Sequence, residues 1–264
     1  LDVKPDFDHN RTVISLAGSP EGLKTQLMKL YEVCLREIDL REHQGGHPRA
    51  GAVDVTPFIP IKNVTMEDCV LLAKDLGKEI AERLNVPVYL YEFAASSEGR
   101  RDLANIRKGE FEGFAEKIQK TEWKPDYGQS QIHPTFGVTV IGARMPLIAF
   151  NVNLGTPDIQ IANKIAKAVR HSSGGLRFVK AMGVMLQERN IAQVSMNLTD
   201  FKKTPVFRAV EMVRREAARY GVSVVGTELI GLIPAEALYD VADYYLQMES
   251  FSTSQILENK LMEE

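Results

Sequence analysis

Two cysteines in 264 residues make neither a disulfide framework nor a metal-binding set. Cys34 and Cys69 each stand alone among apolar neighbours in helical patterns, which reads as reduced core thiols in a reducing compartment. No run approaches the roughly 18 apolar residues that span a bilayer. A net charge of −3 provides no bulk attraction for nucleic acid or anionic lipid. An anionic ligand must then be met by locally placed Arg, Lys or backbone N–H groups. The glycine-rich phosphate loops are missing, with neither G-x-G-x-x-G nor a P-loop pattern, and so is the hydrolase elbow G-x-S-x-G. Leu1-Asp2-Val3 resembles neither a signal peptide nor an ordinary start. What is present, 44% hydrophobic and 25% charged residues, is the composition of a soluble globular protein long enough for two lobes.

Periodicity predicts the elements. A strand covers 11–18, through Val13, Ile14 and Leu16. Ser19-Pro20 opens a helix with the apolar stripe Leu23, Leu27, Leu30, Cys34 and Ile38. A loop from Leu40 to Gly51 leads to a strand over 52–59. Thr65 starts a second helix with a capping box, its stripe being Cys69, Leu72, Leu76, Ile80 and Leu84. Val88–Tyr91 is a strand. From Ser96 to Gln131 the pattern loosens into short helices and a long connection. Apolar runs at 136–142 and 147–153 are split by Gly142-Ala143-Arg144-Met145-Pro146, and this proline-bearing break sets the boundary between 1–145 and 146–264. Further on, helices are expected over 158–171, from Pro205 to Tyr220 and from Pro234 to Leu246, with a short final helix. Strands are expected over 178–186, 192–198 and 222–225. This order predicts an α+β sandwich of two subdomains, each a sheet with helices on its outer face, with a ligand cleft between the two sheets.

The richest stretch runs from His47 to Pro60. Gly45-Gly46 delivers His47, Pro48 and Arg49 to the start of a strand that carries Asp54, a residue strands usually avoid. A titratable ring stiffened by proline and flanked by two charges suits acid–base work. Alternation puts Ala52, Asp54 and Thr56 on one face. His43 and His47 stand at metal-pair spacing, but Gly45-Gly46 argues against the helix that spacing needs, and no third ligand is near. No metal is expected. Arg11 and Arg49 are candidate carboxylate binders, because guanidinium meets carboxylate in a fork. Asn151 and Asn153 share one face of an apolar strand and need partners there, either a ligand or the sheet itself. Gly128-Gln129-Ser130-Gln131-Ile132-His133-Pro134-Thr135-Phe136-Gly137 is a polar loop bounded by glycines, rich in amides and hydroxyls.

These residues converge on one family. Asn10-Arg11-Thr12-Val13, the 47–60 string, Val86-Pro87-Val88-Tyr89-Leu90-Tyr91, Trp123-Lys124-Pro125-Asp126-Tyr127-Gly128, Gly142-Ala143-Arg144, 147–154, 192–197 and 225–232 together resemble glutamate formiminotransferase, nearly end to end and in family order. The resemblance implies two α/β subdomains whose sheets face across a ligand tunnel. It places the catalytic histidine at His47 and the folate-binding stretch at Gly128–Gly137. Arg11, Arg49, Asp54, Asn151 and Asn153 then become supporting or substrate-binding residues. It also implies tetrahydrofolate as co-substrate, N-formimino-L-glutamate as donor, a cytoplasmic homodimer with no nucleic acid or membrane partner, and the bacterial single-function form. The family's first strand lies before the position of Leu1, so an open sheet edge is expected in the first subdomain.

The implied reaction moves a formimino group to N5 of tetrahydrofolate in histidine degradation. One imidazole of pKa near 6.5 can take the proton from the attacking amine and give it to the departing one. Two alternatives stand beside it: transfer of a formyl group between 5-formyltetrahydrofolate and glutamate, and folate binding without turnover.

Overall fold

The computed structural model describes residues 1–7 and 10–262. The chain falls into two units, Leu1–Arg144 and Met145–Glu264.

The first unit opens with β1 (Asp2–Asp6) and β2 (Arg11–Ser15), an antiparallel ribbon in the register Lys4↔Val13. β1 is an element that periodicity missed: Lys4-Pro5-Asp6 has no apolar alternation, and the strand is held by backbone pairing rather than burial. α1 (Pro20–Glu37) follows, with the Ser19 hydroxyl accepting from the Gly22 N–H at 3.3 Å. α2 (Met66–Leu84) begins at the expected capping box, in which Thr65 and Asp68 satisfy each other's backbone N–H groups. It ends at Asn85, which takes the left-handed conformation that closes helices.

Between and after these helices lie β3 (Val55–Phe58), β4 (Val88–Glu92) and β5 (Thr139–Ala143). They form a parallel sheet in the order β3-β5-β4. α1 and α2 cover one face, through Leu27, Met28, Leu76 and Ile80 against Phe58, Leu90 and Ile141. α3 (Leu103–Arg107) and α4 (Glu110–Lys117) cover the other, through Ile106 and Phe114 against Tyr89, Tyr91 and Val140. Both faces of this sheet are therefore buried, where one helix-covered face had been expected. The cause is legible in β4 and β5: Val88, Tyr89, Leu90 and Tyr91 are all buried, a continuous run rather than an alternating one, as parallel strands require. β3 also starts later than expected, so Asp54 lies just ahead of the strand.

The second unit carries β6 (Ile148–Leu154), α5 (Ile159–Val169), β7 (Val179–Leu186), β8 (Ile191–Leu198), α6 (Val206–Ala218), β9 (Val224–Ile230), α7 (Ala235–Leu246) and α8 (Leu257–Leu261). Its sheet is antiparallel, ordered β7-β8-β6-β9. Val152, Leu154, Val194, Met196 and Leu198 point at α5 and α6, where Ile165, Val169, Ala209 and Val213 complete a fully buried core. Each of the larger aliphatic side chains contributes ~1.5–3 kcal/mol. The opposite face is polar, with Asn151 opposite Ser195 and Asn153 opposite Gln193. β9 runs on to Ile230, past the expected end at Val225. Gly226 and Glu228 interrupt its apolar pattern because they sit on the polar face, paired with Asn153 and Asn151.

The two thiols sit as expected, Cys69 buried and Cys34 half-buried. Burial pushes both above the ordinary thiol range, which disfavours the thiolate.

Candidate active site

The loop carrying His47 is tied at both ends to the Gly128–Gly137 stretch. At its start the Leu40 N–H donates to the Thr135 carbonyl at 2.8 Å. At its end the Ala52 N–H donates to the Phe136 carbonyl at 2.9 Å, and the Val138 N–H donates back to the Ala50 carbonyl at 3.0 Å. Gly51 and Gly137 form an antiparallel bridge between the two segments. Two stretches far apart in sequence thus become neighbours within one unit. His47 itself is half-buried, between Gly46 and Pro48.

Arg49 is held by the chain's own acceptors. Its Nη1 and Nη2 donate to the two carboxylate oxygens of Glu112 at 2.8 and 2.6 Å, a bidentate fork. Nη1 also reaches Glu110 at 3.1 Å. Nη2 and Nε reach the carbonyl and Nδ1 of His43, each at 3.4 Å. The Glu112 carboxylate holds the guanidinium more firmly in its charged form, and Arg49 in turn holds Glu112 below the usual carboxylate range. The carboxylates that Arg49 meets here are therefore Glu110 and Glu112. With Nδ1 of His43 accepting from Arg49, its Nε2–H is the donor to the Asn10 carbonyl at 2.8 Å. Around these groups lies a solvent-open cavity of about 450 Å³, bounded by His43–Gly45, Arg49, Gly109, Glu110 and Glu112.

Asp54 accepts from the Ala50 N–H at 2.8 Å and forms an ion pair with Arg107 on α3. It fixes the backbone just after the His47 turn. The α3–α4 junction is braced by Lys117, whose ammonium donates to the carbonyls of Asn105 and Ile106, both at 2.6 Å, and lies 4.0 Å over the Trp123 ring. Burial pulls this ammonium down to about 8. Arg11 stands exposed on β2.

Within the expected folate stretch the roles divide. Phe136 is fully buried and stacks on Tyr31 at 6.0 Å, so it serves the core. His133 closes the hairpin: its N–H and carbonyl pair with Gly137, and its Nδ1 accepts from the Phe136 N–H at 3.1 Å. Burial lowers its pKa from the ordinary imidazole value. The Ser130 carbonyl accepts from Gln119 at 2.8 Å. Gly128 takes positive φ, and a Cβ there would meet the Pro87 α-carbon at 3.2 Å; Ile132 packs on the α3–α4 core. Gln129, Gln131 and Pro134 are exposed and Thr135 is half-buried, leaving amides outward.

In the second unit Asn153 is buried with both ends of its amide used. Its Oδ1 accepts from Gln193 at 2.8 Å and its Nδ2 donates to Glu228 at 3.1 Å. Gln193 also donates to Glu228 at 3.0 Å, and Arg189 at 2.9 Å. Asn151, also buried, is next along the same face. Sequence reasoning found the two asparagines and missed Gln193 and Glu228; Gln193, Ser195 and Asn197 alternating through an apolar strand was the available signal. It also missed Arg107, Glu110 and Glu112, which lie where periodicity is weakest. Among the described residues no group of three or more His, Cys, Asp or Glu could hold a metal ion, and no helix is long and apolar enough to cross a membrane.

Residues 1–144 match the N-terminal subdomain of the formiminotransferase domain, and 149–263 match the formiminotransferase domain. The chain belongs to the formiminotransferase family. Formiminotransferase relatives match along almost its whole length. The glutamate formimidoyltransferase of Streptococcus pyogenes serotype M1 is 51% identical over 263 residues, 99% of this chain and 88% of that protein. That of Thermoplasma acidophilum is 48% identical, over 99% of this chain and 86% of the relative. The formimidoyltransferase-cyclodeaminase of Rattus norvegicus is 45% identical over 94% of this chain, which spans 47% of that longer protein.

Proposed function

We propose that this chain is a folate-dependent glutamate formimidoyltransferase. It moves the formimino group from N-formimino-L-glutamate to N5 of tetrahydrofolate, giving 5-formiminotetrahydrofolate and L-glutamate, a step of histidine degradation. What carries the reading is the match of both halves to relatives that bear the name glutamate formimidoyltransferase.

N5 attacks the amidine carbon of the donor and a tetrahedral adduct forms. The attacking nitrogen then loses a proton, the bond from carbon to the glutamate nitrogen breaks, and that nitrogen gains one. His47 takes the first proton and delivers the second, so one ring serves both halves of the exchange. Its backbone is stiffened on one side by Pro48 and tied to the 135–138 segment by the hydrogen bonds at Leu40 and Ala52. The outward amides of Gln129 and Gln131 suit a ligand rich in ring nitrogens and carbonyls. In the second unit Asn151 is assigned to substrate binding, and Asn153, whose amide is taken up by Gln193 and Glu228, to supporting that polar face. Holding both substrates together supplies much of the acceleration by proximity. Arg11, exposed on its strand, is the guanidinium open to a substrate carboxylate; Arg49 has a structural role.

The family resemblance further supports a cytoplasmic homodimer. Sedimentation of the purified chain tests the second point, a monomer at micromolar concentration overturning it.

The reaction is tested by assaying N-formimino-L-glutamate and 5-formyltetrahydrofolate side by side, with calorimetry of folate binding. Preferential transfer from the formimino donor supports the proposal. Preferential formyl transfer assigns the sister activity instead. Folate binding with no product from either donor makes the chain a binding module.

A further inference from the structure

Arg49 is separated from His47 by Pro48 alone, whose φ is fixed near −65°. The link from residue 49 to the histidine therefore has one soft dihedral fewer than an ordinary dipeptide. Three residues in the N-terminal turn of α4 hold residue 49 in place. The Phe111 N–H donates to the Arg49 carbonyl at 2.9 Å. Glu110 accepts from both the Arg49 backbone N–H, at 3.4 Å, and Nη1. Glu112 forks both terminal nitrogens.

The backbone at this turn is informative. Gly109 has φ +94° and Glu110 φ +53°. A left-handed glutamate costs free energy that glycine would not. The side chain at 110 must then supply something, and what it supplies is a carboxylate on residue 49. Fork geometry also separates this ion pair from ordinary surface pairs, because a bidentate Arg–carboxylate contact with a largely buried guanidinium is the kind that contributes. The Arg49 side chain is 14% exposed.

We propose that Glu110 and Glu112 are positioning residues for His47, acting through Arg49. The reading rests on His47 being the proton shuttle. The acidic turn of α4 holds the loop in the one orientation that aims the imidazole, while neither glutamate touches substrate.

Two single variants and their combination test this: Glu110→Gly, Glu112→Gln, and both together. Glycine at 110 relieves the left-handed backbone as it removes the carboxylate, two opposing effects that keep the melting temperature near the parent's. Displacing a catalytic group by about 1 Å costs on the order of 10²-fold, so the double variant is expected to lose 10- to 100-fold in kcat, with both KM values within about threefold. Glu112→Ala is added as a further single variant, and Glu112→Gln, which keeps an acceptor oxygen, is expected to retain more turnover than it. A kcat within twofold of the parent overturns the proposal. So does a rise in the KM for the amino-acid donor with kcat preserved, which assigns Arg49 or the glutamates to substrate binding. Histidine ring NMR supplies a readout independent of turnover: the His47 signals shift or broaden in the double variant while those of His171 stay. Unmoved His47 signals reject the clamp. If the parent shows no transfer at all but the His47 signals respond, the reading of the reaction falls and the clamp stands.

Discussion

Gly51 and Gly137 face one another across an antiparallel bridge, and neither position has room for a side chain. A Cβ at 51 would collide with the Val138 carbonyl oxygen, and one at 137 with that of Ala50. Gly137 also sits at φ +80°. Through this contact the His47 loop and the Gly128–Gly137 hairpin become one surface.

Gly51→Ala is expected to force the two segments apart. The overpacking costs about 1–3 kcal/mol, read as a lower denaturant midpoint. Gly99→Ala is the control, since nothing lies within 4 Å of its added methyl, and it leaves the midpoint in place. Equal midpoints for the two variants would show that the close approach at Gly51 is not maintained in solution.

The His133 ring gives the fold a pH dependence of definite sign. Burial lowers its pKa below the ordinary value near 6.5, and its Nδ1 must be unprotonated to accept the Phe136 N–H. The unfolded chain therefore takes up this proton more readily than the folded one. Stability from this group is complete above pH 6.5 and is lost as pH falls from there towards the folded pKa. Denaturant midpoints across pH 7.5 to 4.5 should fall less steeply below 6.5 in His133→Gln than in the parent. Parallel profiles would remove His133 from the account.

Tyr31 tests the core of the first unit. The Thr139 hydroxyl donates to the Val53 carbonyl at 2.7 Å, so it accepts from the Tyr31 hydroxyl, which in turn accepts from Thr56, both at 2.8 Å. Burial raises the Tyr31 hydroxyl well above its ordinary pKa and keeps it neutral. Tyr31→Phe leaves the Thr56 hydroxyl without its acceptor in a dry interior. The cost is about 1–3 kcal/mol in equilibrium unfolding; a change below about 0.5 kcal/mol would contradict the relay.

How much of this was visible in the sequence depends on the element. α1 and α2 were legible because a cap and an apolar stripe agree: Ser19 and Thr65 stop the preceding chain, and Leu27, Leu76 and Ile80 repeat at helical spacing. Tyr31 was overlooked because an aromatic hydroxyl reads as surface until the hydroxyls of Thr56 and Thr139 come from distant strands to meet it. β1 left no periodic trace. The site was half legible. His47, Asp54, Asn151 and Asn153 stood out as polar groups where strands or turns normally carry none. Their partners, Arg107, Glu110, Glu112, Gln193 and Glu228, come from remote segments that only tertiary structure brings close. Asp54 looked like a partner for the histidine ring, and the groups it holds are the backbone N–H of Ala50 and the Arg107 guanidinium.

The most direct measurement of the central claim is the turnover of His47→Ala with N-formimino-L-glutamate and tetrahydrofolate, alongside calorimetric folate affinity. General acid–base work contributes on the order of 10²–10⁴-fold, so kcat should fall in that range while folate affinity stays within about threefold. A loss of turnover below about threefold would contradict the account, because a ring that ferries the proton cannot be removed at so small a cost.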